Sequence, residues 1–174
     1  MAEEAAAGEA HRRLLTERCQ YHPVNLPQQG LASNAWKKGR MVSIHVDIEE
    51  AEWTPGIPFY GPAARYDGKD IVQLKVLSDR RAEGGGIAWL GKFSPPPGKL
   101  IKIVATALSD EHVFNLEGGR ATKSGAPAHA SGGYTLNPTG QPHSAMIAAE
   151  TVSLVIYSGE PDRIVSMEVI DVAA

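Results

Sequence analysis

A histidine that follows a Pro-x-Gly turn and a glutamate at the head of an alternating apolar run are the side chains whose types and settings best suit proton transfer. His143 comes after Pro138-Thr139-Gly140-Gln141-Pro142, and Glu111 opens Glu111-His112-Val113-Phe114-Asn115-Leu116. An imidazole near its ordinary pKa gives or takes a proton at neutral pH, and a carboxyl withdrawn from water has its pKa raised toward the same range. Facing each other, the two would serve as acid and base for an isomerisation, a dehydration or an elimination next to a carbonyl. The competing reading is a buried hydrogen bond that remains in a fold without catalysis. The only cysteine is Cys19, which excludes an internal disulfide framework and a cysteine-based zinc cluster.

The elements that must hold these groups read as short strands. Apolar or alternating runs occupy residues 41–48, 71–77, 87–93, 100–107, 112–116, 133–137, 143–148, 151–157 and 164–172, with no long helical period between them. Gly and Pro clusters separate them, among them Gly84-Gly85-Gly86, Pro95-Pro96-Pro97-Gly98 and Glu117-Gly118-Gly119. Many strands at this spacing predict an all-β sandwich or barrel. Residues 3–18 are good helix formers with Leu14 and Leu15 as the only strong apolar pair, and residues 20–36 are rich in Pro, Gln, Asn and Gly. The expected division is therefore an N-terminal helix or arm with an extended connector over 1–37 and one barrel domain over 38–174.

At 174 residues the chain is long enough for one core without staples, and its net charge of -3 offers no broad positive field for nucleic acid. No stretch has the length and apolarity to span a bilayer as a helix, and residues 1–10 are acidic and alanine-rich rather than basic then apolar. Together with the single cysteine, these features predict a cytoplasmic protein without membrane or nucleic-acid partners.

Gly132-Gly133-Tyr134-Thr135-Leu136-Asn137-Pro138-Thr139-Gly140-Gln141-Pro142-His143 resembles the second signature motif of the cupin superfamily. In that motif a strand ends at Pro-x-Gly and the next begins with a histidine pointing into the barrel. Glu111 through Gly118 reproduces the end of the first cupin motif, with Glu111 as its carboxylate. The family's His-x-His pair falls on Val104 and Thr106 when counted from Gly98, or on Ala105 and Ala107 when counted back from Glu111, so it is absent in either register. Where the family continues with an asparagine after the motif-two histidine, this chain has Ile147. The softer similarity from about Trp53 to Pro161 is to small single-domain cupins related to dihydroxyacetophenone dioxygenase and to anti-sigma-factor cupins.

The resemblance implies a jelly-roll, double-stranded β-helix barrel, an interior small-molecule site and a homodimer in which the N-terminal segment packs across the partner. Of the family's metal ligands only Glu111 and His143 remain, and two are too few for a catalytic site. No cofactor is expected, and a family-type oxygenase reaction is disfavoured. The alternative is iron, zinc or manganese held with help from His45, His112 or His129. Strand alternation nominates Trp89, Lys102, Asn115, Tyr134 and Met146 as the lining of a ligand cavity, although Trp89 also reads as ordinary core. The leading expectation is an acid–base lyase or isomerase using Glu111 and His143 on a small aromatic or carbonyl-bearing metabolite. The other is a non-catalytic module that binds or senses such a ligand.

Overall fold

The structure is a computed structural model and describes residues 43–173, so the arm expected over 1–37 lies outside the described residues. The strands are β1 (Thr54–Pro55), β2 (Arg65–Tyr66), β3 (Lys69–Asp70), β4 (Val72–Asp79), β5 (Ile87–Phe93), β6 (Lys99–Thr106), β7 (Glu111–Glu117), β8 (Arg120–Ala121), β9 (Pro127–His129), β10 (Tyr134–Asn137), β11 (Pro142–Ile147), β12 (Thr151–Tyr157) and β13 (Arg163–Asp171). They form a larger sheet in the order β1-β4-β5-β12-β7-β10 and a smaller one in the order β11-β6-β13, with the pairs β2-β3 and β8-β9 apart. Every pairing is antiparallel, the double-sheet jelly-roll arrangement expected for the domain.

Alternation decides which residues meet between the sheets, because successive strand side chains point to opposite faces. On β5 the inward set is Ile87, Trp89 and Phe93, on β6 Ile101, Ile103 and Ala105, and on β12 Val155 and Tyr157. The same alternation sends Glu111 and Asn115 of β7, and Thr151 and Ser153 of β12, into the interior. Buried polar groups need partners, and the register supplies them: Asn115 lies across from Ser153, and Glu111 across from both Tyr157 and Asn137. The Ser153 hydroxyl accordingly donates to Asn115 Oδ1 at 3.1 Å. A slip of one residue in β7 would turn Glu111 and Asn115 out to solvent.

Among the described residues, the strand expected at 41–48 does not form: 43–47 have no regular structure, and Ile44 and Ile48 are exposed. This segment has no ladder partner; its tie to the sheet is the Lys75 ammonium, which donates to the Ile48 carbonyl. A helical turn that the patterning did not suggest, Ile57–Tyr60, covers one end of the core. Its Phe59 packs on Trp89 with ring centroids 4.7 Å apart, and its Tyr60 meets Phe93 edge-on at 5.6 Å. The outer face of the larger sheet exposes Phe114, Leu116, Tyr134, Leu136 and Ile156.

Candidate functional site

Two glycine turns set the site. Gly140 adopts φ 82°, and the Gln141 amide donates to the Pro138 carbonyl at 3.0 Å. This is the tight Pro-x-Gly turn anticipated from the sequence, and it is pinned by the Thr139 amide and hydroxyl, which both donate to Asp110 Oδ1. Its product is His143, pointing inward from β11. At Gly118 φ is 66° and a Cβ would come within 2.3 Å of the Glu150 carbonyl oxygen, so a side chain is excluded twice over. That turn delivers Arg120 on β8, with His129 of β9 directly across the ladder.

Glu111 is buried, and two of its neighbours, Tyr157 and Asn137, follow from register. The Tyr157 hydroxyl donates to Oε1 at 2.9 Å, the Asn137 amide donates to Oε2 at 2.5 Å, and His143 Nε2 lies 3.3 Å from Oε2. Asp162, in the segment between β12 and β13, closes the cluster: His143 Nε2 lies 2.9 Å from its Oδ2. The Asp162 side chain is only 7% exposed, and its Oδ1 is buried without a hydrogen-bond partner.

The charges act on one another through this geometry. Loss of water raises the Glu111 pKa, with help from Asp162; the Asn137 and Tyr157 hydrogen bonds and the His143 charge pull it back. The His143 pKa is also raised, first by its hydrogen bond to Asp162 and further by the charges of Asp162 and Glu111, against the opposing effect of burial. Burial of the Tyr157 phenol raises it well above its usual range, so it stays a donor to the carboxylate.

Glu111, Asn137, His143 and Asp162 line a cavity of about 120 Å³ together with Tyr60, Arg120, Thr135 and Ser144. One water needs roughly 10–15 Å³ on that measure, so the space suits a small metabolite rather than a drug-sized ligand. His129 of β9 also reaches this wall.

The two residues expected to do chemistry, Glu111 and His143, are brought together. The expected lining residues are placed elsewhere. Trp89 is core, wedged between Phe59 and Tyr157. Lys102 has the outward parity of β6 and lies 3.7 Å from Glu168. Tyr134 is 53% exposed on the outer face, where its hydroxyl is 2.9 Å from His112 Nδ1. Met146 sits opposite Lys102 on β11. Asn115 is interior but engaged with Ser153. Asp162 and Arg120 were missed because neither belongs to an alternating run; the turn glycines before Arg120 were the one available signal.

The count of metal donors also changes, from two to three. Glu111, His143 and Asp162 offer two carboxylates and an imidazole, with one ligand atom from each lying within 4.8 Å of the others. That number and type of donor, with a spare buried oxygen on Asp162, could hold a divalent metal.

Two packed antiparallel sheets that enclose two carboxylates and an imidazole form a jelly-roll barrel. No protein-family model matches the chain, and no curated protein matches it in sequence. Solved structures that share its fold include the following two. A protein of cupin-like fold from Ralstonia eutropha JMP134 has a TM-score of 0.51 and 15% identity, over 71% of this chain and 77% of that one. A candidate acetylacetone dioxygenase from Methylibium petroleiphilum PM1 has a TM-score of 0.50 and 12% identity, over 73% and 90%. The chain therefore has a cupin-like fold.

Proposed function

We propose that this cupin is an acid–base enzyme, of lyase or isomerase type, acting on a small organic metabolite in the barrel cavity. The observation that supports this reading is His143 Nε2 on the cavity wall, 3.3 Å from Glu111 and 2.9 Å from Asp162. Two carboxylates around one imidazole form a proton store: the raised His143 pKa keeps a transferable proton near neutrality, and the raised Glu111 pKa brings a carboxyl toward the same range. A carbon acid beside a carbonyl would lose its proton to a carboxylate oxygen and regain one from the imidazolium. Incubation in D2O with a panel of small carbonyl compounds, followed by proton NMR, tests this. Exchange at carbon that vanishes in His143→Gln is expected. Exchange equal to the enzyme-free rate, or unaltered by His143→Gln, would sink the proposal.

A second reading rests on the three clustered donors. A zinc, manganese or iron ion held by Glu111, His143 and Asp162 would polarise a substrate carbonyl as a Lewis acid. Metal content by mass spectrometry on untagged protein decides it: near-stoichiometric metal that is lost in Asp162→Asn supports this reading, and metal-free protein removes it.

A further inference from the structure

Besides the imidazole, the cavity contains a cation that no carboxylate holds. Arg65, Arg80 and Arg81 each have a carboxylate oxygen within 3.1 Å. Arg120 lines the cavity and, among the described residues, makes neither an ion pair nor a side-chain hydrogen bond. Glu111 receives Tyr157, Asn137 and His143, and Asp162 Oδ2 receives His143. A guanidinium without a protein partner presents its fork of donors to whatever anion enters the cavity.

The second unmet group has the opposite character. Asp162 Oδ1 is a buried acceptor with no donor, on a side chain more than nine-tenths buried in the same wall. A ligand that satisfied both would present an anion to Arg120 and a hydrogen-bond donor to Asp162.

We propose that the cavity binds a small hydroxy acid, its carboxylate gripped by Arg120 and its hydroxyl donating to Asp162 Oδ1. The inference rests on the acid–base reading and deepens it by naming the substrate class. The planar guanidinium fork matches a carboxylate with two parallel hydrogen bonds, a geometry a lysine cannot reproduce. A cavity of about 120 Å³ limits the acid to a few carbons. Burial lowers the Arg120 pKa, against the opposing influence of Tyr60 and Glu111. The turn at Gly118 and Gly119, both of positive φ, immediately precedes β8, which carries Arg120.

Calorimetric titration of the full chain with glycolate, lactate and glycerate, each against its neutral amide, tests the proposal. At least one acid should bind wild type more tightly than its amide by about tenfold or more, the scale of a charge-assisted hydrogen bond. Arg120→Gln should abolish that preference, and Arg120→Lys, which keeps charge and bulk if the glutamine variant fails to fold, should retain only part of it. Equal binding of acid and amide, no binding of any acid, or an undiminished preference in Arg120→Lys and Arg120→Gln would overturn the proposal. The two readings fail separately. Arg120-dependent acid binding without proton exchange would remove the enzyme and leave the binding site. Exchange that needs His143 but is indifferent to Arg120 would do the reverse.

Discussion

His143 lies directly across the β6–β11 ladder from Ala105, so the two side chains share the inner face of the smaller sheet. This decides the register left open by sequence. Ala105 and Ala107 are both buried at 1% exposure, whereas Val104 and Thr106 have the outward parity of β6. The positions where the resemblance would put a histidine pair are therefore held by the smallest chiral side chains, and Asp162 reaches His143 from elsewhere in the chain.

Ala105→His should add a fourth donor opposite His143 and tighten divalent-metal binding by about tenfold or more. Competition against a chromophoric chelator, with zinc and manganese, reads the change. The larger side chain in a packed position should also lower stability by about 1–3 kcal/mol. Metal affinity equal to wild type in a folded variant would mean that position 105 does not face the cluster.

Asp162 is the leading cause of the raised His143 pKa, ahead of Glu111. Asp162→Asn should therefore lower the imidazole pKa more than Glu111→Gln does. Carbon–proton correlation spectra recorded across a pH titration of chelator-treated protein measure both. The reverse order would show that Glu111, not Asp162, is the main partner of His143.

Much of this was legible in the sequence, and the reasons are local. The Pro138-x-Gly140 turn announces itself because proline fixes one φ and glycine permits a positive one, and it places His143. Alternation in β7 identifies Glu111. What alternation cannot supply is which face of a strand meets a cavity and which meets the core. Tyr134 and Lys102 have the outward parity of their strands, while Thr135 and Asn137 of β10 reach the cavity instead. Trp89 has the inward parity but is enclosed by Phe59 from a helical turn with no apolar period of its own. Asp162 belongs to a connection, where only the folded chain brings it beside His143.

Stability should respond to pH in a defined sense. The pKa values of Glu111 and His143 are both raised, so the folded protein binds these protons more tightly than the unfolded chain does. Their contribution is fully present below the ordinary values of 4.5 and 6.5 and is lost as pH rises through the raised ones. Asp79, lowered to about 2 by its hydrogen bonds to Arg81, has the opposite sign: its contribution is present above the ordinary 3.8 and is lost as pH falls. Denaturant titrations of chelator-treated protein between about pH 5 and pH 9 should show wild type losing stability relative to the Glu111→Gln, His143→Gln double variant. A relative gain with rising pH contradicts the assignment.

The Tyr157 hydroxyl offers a test that separates a hydrogen bond from packing. Tyr157→Phe keeps the ring against Trp89 and removes only the donor to Glu111 Oε1. A buried carboxylate left short of one donor should cost about 1–3 kcal/mol. That hydrogen bond is also one of the influences lowering the Glu111 pKa, so its loss should move the pKa further up. The damage is then greatest where Glu111 is ionised and shrinks where it is protonated. Stability measured at about pH 8 should fall more than at about pH 5. Ser153→Ala, which removes the donor to the uncharged Asn115 amide, provides the control and should cost about the same at both. If Tyr157→Phe matches this control and shows no dependence on pH, Glu111 is not the ionisable partner of Tyr157 and the buried half of the proton store is misassigned.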